Sequence, residues 1–285
     1  SNYRTLKGHP KMNEPIVSSE WLNRNLNDPN LILLDASQAD NTSGILTEFD
    51  QLQIPGSRIF DLKRDFSLKS TSFPNMLPSP EQFDQACRNI GINKSNKIVV
   101  YDNLGIYFSP RVWWMFKAMG HQHISVLNGG LPDWISNNFS TAARKPNEYP
   151  QGDFCSSFRK NSVKTFEFIK ENIENQDCLL IDARPANRFN GLAPEPREGL
   201  RSGNIKNSFN IPFEKVLENG KFKSKKELIK LFKGLQIDDR PLIFSCGSGV
   251  TACIVLLACE LVLGNDKSVY DGSWTEWAER TQGAP

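Results

Sequence analysis

The sequence predicts an α/β protein of two tandem domains, each a mostly parallel sheet flanked by helices. Three observations carry that prediction. Short β-branched runs alternate with longer helical patterns along the chain, as parallel strands joined by crossover helices require. The 285 residues exceed one ordinary small domain and suffice for two, each with its own core. The pattern of the first half also recurs in the second at a nearly constant offset, which marks a duplicated unit.

Taken in order, "LILLDAS" (31–37) and "KIVVYDN" (97–103) read as buried strands. "SPRVWWMFKAMG" (109–120) reads as a helix closed by Gly120, and "ISVLNGG" (124–130) as a strand running into a turn. In the second half, "CLLIDAR" (178–184) and "PLIFSCG" (241–247) read as strands. "VTACIVLLACELVLG" (250–264) reads as a helix and "KSVYDGS" (267–273) as a strand. Asp182 follows Asp35 by 147 positions, Cys246 follows Asp102 by 144, and Trp277 follows Trp134 by 143. The polar, proline-bearing stretch after Trp134 separates the copies. The expected domains are therefore 14–138 and 158–285, with a linker over 139–157.

Composition narrows the function. Hydrophobic content of 39%, charged content of 23% and a net charge of +2 describe an ordinary globular protein. They give no reason to expect a nucleic-acid or membrane-surface partner. The densest basic cluster, Lys221 to Lys226 with Lys230, reads as one solvated helix face. Six cysteines without a C-x-x-C pair, and three histidines (His9, His121, His123), argue against a disulfide framework and against zinc or haem sites. No metal or cofactor is implied. A reducing compartment is expected, the cytoplasm first and the mitochondrion as the alternative. The stretch "SNYRTLKGHPKMNEP" has no apolar signal-peptide core and reads as a cloning remnant or the stub of a removed transit peptide. A monomer is expected.

The chemistry concentrates at "SCGSGVTA" (245–252). Ligands in open α/β sheets bind beyond the carboxyl ends of strands, and Cys246 sits at such an end with a helix immediately after. Gly247, Ser248 and Gly249 let the backbone curl so that N–H groups of 247–251, including Val250 and Thr251, converge on one point. That nest and the helix dipole favour a thiolate or an anionic sulfur intermediate. The matching slot in the first copy holds Asp102, which cannot attack sulfur, so only the second copy is expected to be active. Cys253 and Cys259 lie inside the apolar helix and read as packing; Cys87, Cys155 and Cys178 read as structural too. A cysteine phosphatase needs an arginine six residues after its nucleophile. That position is Ala252, and no Lys or Arg occurs between Pro241 and Asp266, which disfavours phosphate dianions.

The loop "CGSGVTA", with "SPRVWWMF" (109–116), "DARPANRFNG" (182–191), "PEPREGLRSG" (194–203) and "YDGSWTEW" (270–277), resembles the rhodanese superfamily, specifically the tandem-domain 3-mercaptopyruvate sulfurtransferases. The resemblance runs from about Val17 to Trp277. It implies two tandem rhodanese-like domains and a persulfide on Cys246. Arg188 and Arg197 would bind the carboxylate and carbonyl of a small 2-oxo acid sulfur donor, a task suited to guanidinium forks. A thiol acceptor, thioredoxin or a small thiol, or cyanide in an assay, would take the outer sulfur. Ser248 would donate to the thiolate or move a proton. Arg184, next to Asp182, reads as a structural ion pair and Arg201 as a surface residue.

The chain also departs from the family. Asn75 stands in "FPNMLP" where the family commonly has a His that joins an Asp and the loop Ser in a proton relay. Asp61 and Ser248 remain, but an amide carries no proton. The "GHIPG" motif is altered to "QIPGS" (53–57) and "GNIKN" (203–207). Tyr107 matches an aromatic that faces the cleft in relatives, and a core role is equally expected. Two rival readings stay open: a thiosulfate:cyanide sulfurtransferase, and a non-catalytic sulfur-carrier or regulatory module. The uncharged loop argues against the first and the intact Cys246 against the second.

Overall fold

The computed structural model describes residues 14–39 and 43–282. The amino-terminal stretch with His9, and the chain from residue 283 on, lie outside the described residues.

Two five-stranded parallel sheets organise the molecule. The first comprises β1 (Ile16–Val17), β2 (Leu31–Asp35), β3 (Arg58–Ile59), β4 (Lys97–Tyr101) and β5 (Ile124–Leu127), in spatial order β1-β5-β4-β2-β3. The second comprises β6 (Val163–Lys164), β7 (Leu179–Asp182), β8 (Ser208–Asn210), β9 (Leu242–Ser245) and β10 (Lys267–Tyr270), in spatial order β6-β10-β9-β7-β8. The two orders are the same, so the duplication read from the offsets is a duplication of topology. The central strands β4 and β9 are fully apolar on both faces because helices cover both. The short β1, β3, β6 and β8 carry two or three residues each, too few for a periodic signal.

The expected strands overran at their carboxyl ends. β5 stops at Leu127 and β10 at Tyr270, not at 130 and 273. The residues that follow turn out of the sheet: Gly129 (φ +96°) and Gly130 (φ +56°) in the first copy, Ser273 (φ +54°) in the second. The helix expected from 250 likewise begins at Ala252, because Val250 and Thr251 complete the loop after Cys246.

That helix, Ala252–Val262, is apolar all round because it is buried all round. It packs against β9 on one side, and against the Ser109–Ala118 helix of the first domain on another. One apolar cluster therefore crosses the domain boundary, joining Val112 and Met115 to Val250, Ile254 and Leu257. The stretch read as a linker is strapped to the first domain. Ala142–Ala143 pairs antiparallel with Leu52–Gln53. Arg144 Nε donates to Asp35 (2.9 Å), and Phe154 packs edge-on to Phe83 and Phe116. Among the described residues no helix is long and apolar enough to cross a membrane.

The two copies solve the strand-end loop differently. In the first, Asp102 turns its carboxylate into its own loop and takes the N–H groups of Leu104 (3.0 Å), Tyr107 (3.1 Å), Phe108 (3.0 Å) and Ser109 (2.8 Å). The nest is filled by a side chain of the same chain. Replacing Asp102 by Ala would strand four buried donors, and each unsatisfied donor costs about 1–3 kcal/mol before relaxation. Asp102→Ala is expected to lower the unfolding free energy by about 3 kcal/mol or more, read by urea denaturation. An unchanged midpoint would contradict this account.

Candidate active site

Cys246 follows β9 directly, and the loop it opens has its carbonyls tied away from the sulfur. The Cys246 carbonyl accepts from Trp274 N (2.9 Å), and the Gly247 carbonyl from Thr275 N (3.1 Å) and Thr275 Oγ1 (2.7 Å). The Cys246 N–H donates to Ser273 Oγ (3.1 Å). The start of the Ser273–Arg280 helix thus clamps the loop from behind. With those carbonyls tied back, N–H groups are left for the front. Gly249 N–H donates to Cys246 Sγ at 3.0 Å, in a conformation (φ +88°) that glycine adopts without strain. The thiol is 2% exposed and lines a cleft of about 580 Å³ between the domains.

Ser248 lines the same cleft, and its Oγ accepts from Asn75 Nδ2 across the domain boundary (3.1 Å). Asn75 also holds a left-handed conformation (φ +59°), which asparagine tolerates better than most residues. Asp61 is not among the cleft-lining residues. Its carboxylate caps the Leu62–Asp65 helix by accepting from Arg64 N (3.0 Å). Asp61, Ser248 and residue 75 are therefore not joined in a proton chain in this protein; Asn75 and Ser248 are joined by one non-titrating hydrogen bond. Tyr107 is buried and also lines the cleft, edge-on to Phe108 and Phe213, so it serves core and cleft together.

The arginines divide as their partners dictate. Arg184 is buried and locked by Asp182 (2.8 Å), by the Gly203 carbonyl (2.6 Å) and over the Trp274 ring (4.6 Å to the centroid). It is structural, as its position after Asp182 suggested. Arg201 is exposed and also lies over Trp274, with a hydrogen bond to Thr281 Oγ1. Arg188 is half-buried and meets Glu195 through two hydrogen bonds, Nε to Oε2 (2.5 Å) and Nη2 to Oε1 (3.0 Å). Burial works against its charge, yet Glu195 holds the guanidinium above its ordinary value. A Cβ built on Gly247 would lie 3.1 Å from Arg188 Nη2, so this glycine leaves the space the guanidinium occupies beside the cysteine loop. Arg197 lines the cleft, is exposed, and makes no ion pair among the described residues.

Sequence reasoning missed Glu195, Thr275, Arg111 and Asp271. Arg111, on the Ser109–Ala118 helix, is 0% exposed and pairs with Asp271 Oδ1 of the second domain (2.7 Å). Burial opposes its charge, but Asp271 holds it protonated. The signal was present: one arginine in an otherwise apolar helix, and an aspartate just after the strand β10.

Two Rossmann-like sheets of one topology, one loop plugged and the other presenting a thiol, define a duplicated α/β protein of cysteine chemistry. A family model described as "Rhodanese-like domain" matches residues 18–137 and 165–280, and the chain belongs to the rhodanese family. It is 39% identical over 283 residues to the 3-mercaptopyruvate sulfurtransferase of Rattus norvegicus, covering 96% of this chain and 95% of that one. It is 37% identical over 284 residues to the thiosulfate sulfurtransferase of the same animal, covering 95% and 94%. Among solved structures, SseA of Escherichia coli, described as a 3-mercaptopyruvate sulfotransferase of the rhodanese fold, superposes with a TM-score of 0.80. The sequences are 34% identical, and the match covers 91% of this chain and 98% of that one.

The other thiols differ from Cys246 in setting. Burial pushes Cys253 and Cys259 up to about 12, whereas Cys155 is exposed. Iodoacetamide at pH 8, followed by peptide mass spectrometry, is expected to mark Cys246 and Cys155 while leaving Cys253 and Cys259 unmodified until the protein unfolds. Labelling of Cys253 in the native state would contradict the burial described.

Proposed function

We propose that the chain is a sulfurtransferase that takes sulfur from 3-mercaptopyruvate through a Cys246 persulfide and passes it to a thiol, releasing pyruvate. One observation carries the reading: a cleft-lining thiol beneath backbone amides, with the Arg188 guanidinium against its loop and Arg197 unpaired in the same cleft. Overall identity does not choose between the two donors, since the relatives named for each are about equally similar. The loop does. Thiosulfate is a dianion without a carboxylate and calls for cations beside the sulfur, where this chain has Gly247 and Ser248. A 2-oxo acid calls for a forked grip on its carboxylate, which the two arginines can provide.

In the first step the Cys246 thiolate attacks the donor's thiol sulfur. An S–S bond forms and the donor's S–C bond breaks, its electron pair passing to the pyruvate enolate. A proton taken up at the methylene carbon completes pyruvate, and Cys246 carries S–SH. Arg188 and Arg197 hold the carboxylate and the carbonyl oxygen on which charge develops. Ser248, whose oxygen accepts from Asn75, keeps its own hydrogen to donate toward the substrate. In the second step an acceptor thiolate, thioredoxin or a small thiol, attacks the outer sulfur and frees the Cys246 thiolate. The cleft exceeds what a small 2-oxo acid fills, and one chain builds all of it, consistent with a monomer. The chemistry calls for a reducing compartment, the cytoplasm in our reading.

Pyruvate release from 3-mercaptopyruvate with dithiothreitol, run beside thiosulfate with cyanide, tests this directly. Mercaptopyruvate turnover well above thiosulfate turnover, abolished in Cys246→Ser, is expected. Arg188→Ala should raise KM for mercaptopyruvate about 10–100-fold, the worth of a charge-assisted hydrogen bond. A preference for thiosulfate would overturn the arginine assignment, and silence with both donors would favour the carrier reading.

A further inference from the structure

The Cys246 loop depends on a residue of the domain that does no chemistry. Arg111 projects from the Ser109–Ala118 helix into the boundary between the domains and is wholly buried. Its Nη1 donates to Asp271 Oδ1 (2.7 Å) and lies 3.5 Å from the Gly249 carbonyl. Its Nη2 donates to the Asn75 carbonyl (2.5 Å). Its Nε has no partner, and its plane lies over the Trp114 ring at 4.7 Å. The other oxygen of Asp271 accepts from Leu77 N (2.6 Å). One guanidinium–carboxylate pair thus gathers four stretches of backbone: 75 and 77 from the first domain, 249 and 271 from the second.

The residues it holds are the ones that touch the reactive groups. Gly249 donates its N–H to Cys246 Sγ (3.0 Å), and Asn75 donates its amide to Ser248 Oγ (3.1 Å). Both have left-handed backbones, φ +88° and +59°, and Arg111 reaches both through their carbonyls, so it fixes peptide planes and not merely side chains. A Cβ on Gly249 would lie 3.2 Å from Arg111 Nη1 and 3.2 Å from Asp271 Oδ1, so only a glycine lets the pair come this close to the loop. A buried ion pair is a poor way to gain stability, since apolar side chains of equal volume do as well or better. A pair that orients backbone around a nucleophile has a different use.

We infer that Arg111 is a positioning residue for sulfur transfer, acting across the domain boundary by holding Gly249 and Asn75 so that their donors meet Cys246 Sγ and Ser248 Oγ. The inference rests on the sulfurtransferase reading for its kinetic readout, but not for its chemical one. Lysine at 111 keeps the charge and loses the fork. In Arg111→Lys, kcat for mercaptopyruvate should fall about 100-fold, the usual cost of a small misplacement of reacting groups. KM should stay within about twofold, because Arg188 and Arg197 are untouched. Alkylation of Cys246 by iodoacetamide at a fixed pH should slow as well.

Val112→Ala, a cavity on the same buried helix, controls for stability alone. It should lower the melting temperature and leave kcat and the alkylation rate of the folded enzyme near wild type. The proposal is overturned if Arg111→Lys keeps kcat and alkylation rate, or if Val112→Ala loses both in proportion to its stability. Should Arg111→Lys fail to fold, Asp271→Asn loosens the other end of the pair, and a normal kcat there is equally fatal. A wild-type protein silent toward every donor would sink the sulfurtransferase reading, while the alkylation comparison would still decide the role of Arg111.

Discussion

A tight turn of backbone amides at the end of a central parallel strand is the constraint on which this structure depends. Such amides cannot be buried unpaired, and their convergence favours an anion. The two copies answer the same demand in two ways. Asp102 supplies the anion permanently, and its loop is a closed, internal structure. Cys246 supplies a sulfur that can ionise and can lengthen by one atom, and its loop opens on a cleft. What separates the catalytic copy from the silent one is the group that satisfies the amides, not the fold around it.

The silent copy is nevertheless part of the site. Its Ser109–Ala118 helix covers the helix that follows Cys246, its Asn75 reaches Ser248, and its Tyr107 and Phe108 form a wall of the cleft. The strap from Ala142 to Phe154 binds the junction to the first domain, so the approach of the second domain is set by packing and not by a tether. A buried cation such as Arg111 is tolerable only where partners are fixed in advance, and this rigid boundary supplies them.

Much of this was legible in the sequence. The near-constant offsets gave the duplication, the apolar runs gave β2, β4, β7 and β9, and the strand–Cys–Gly–helix order located the nucleophile. Arg184 could be assigned because its partner stood two residues away. Glu195 and Arg111 could not be assigned, because their partners are set by loop closure and by the meeting of two domains. The expected proton relay failed for a plainer reason: Asp61 spends its carboxylate on a helix cap outside the cleft. The short strands were invisible because two residues carry no period.

Gly247 has a meaning for descent as well as for chemistry. Arg188, braced by Glu195, lies where any side chain at 247 would press. A basic residue arriving there would crowd out the cation that grips a carboxylate and install one aimed at the sulfur. The two donor preferences are then mutually exclusive occupants of a single volume. Lineages that diverged in donor are expected to have crossed between them abruptly, with residues 188, 195 and 247 changing as a linked set.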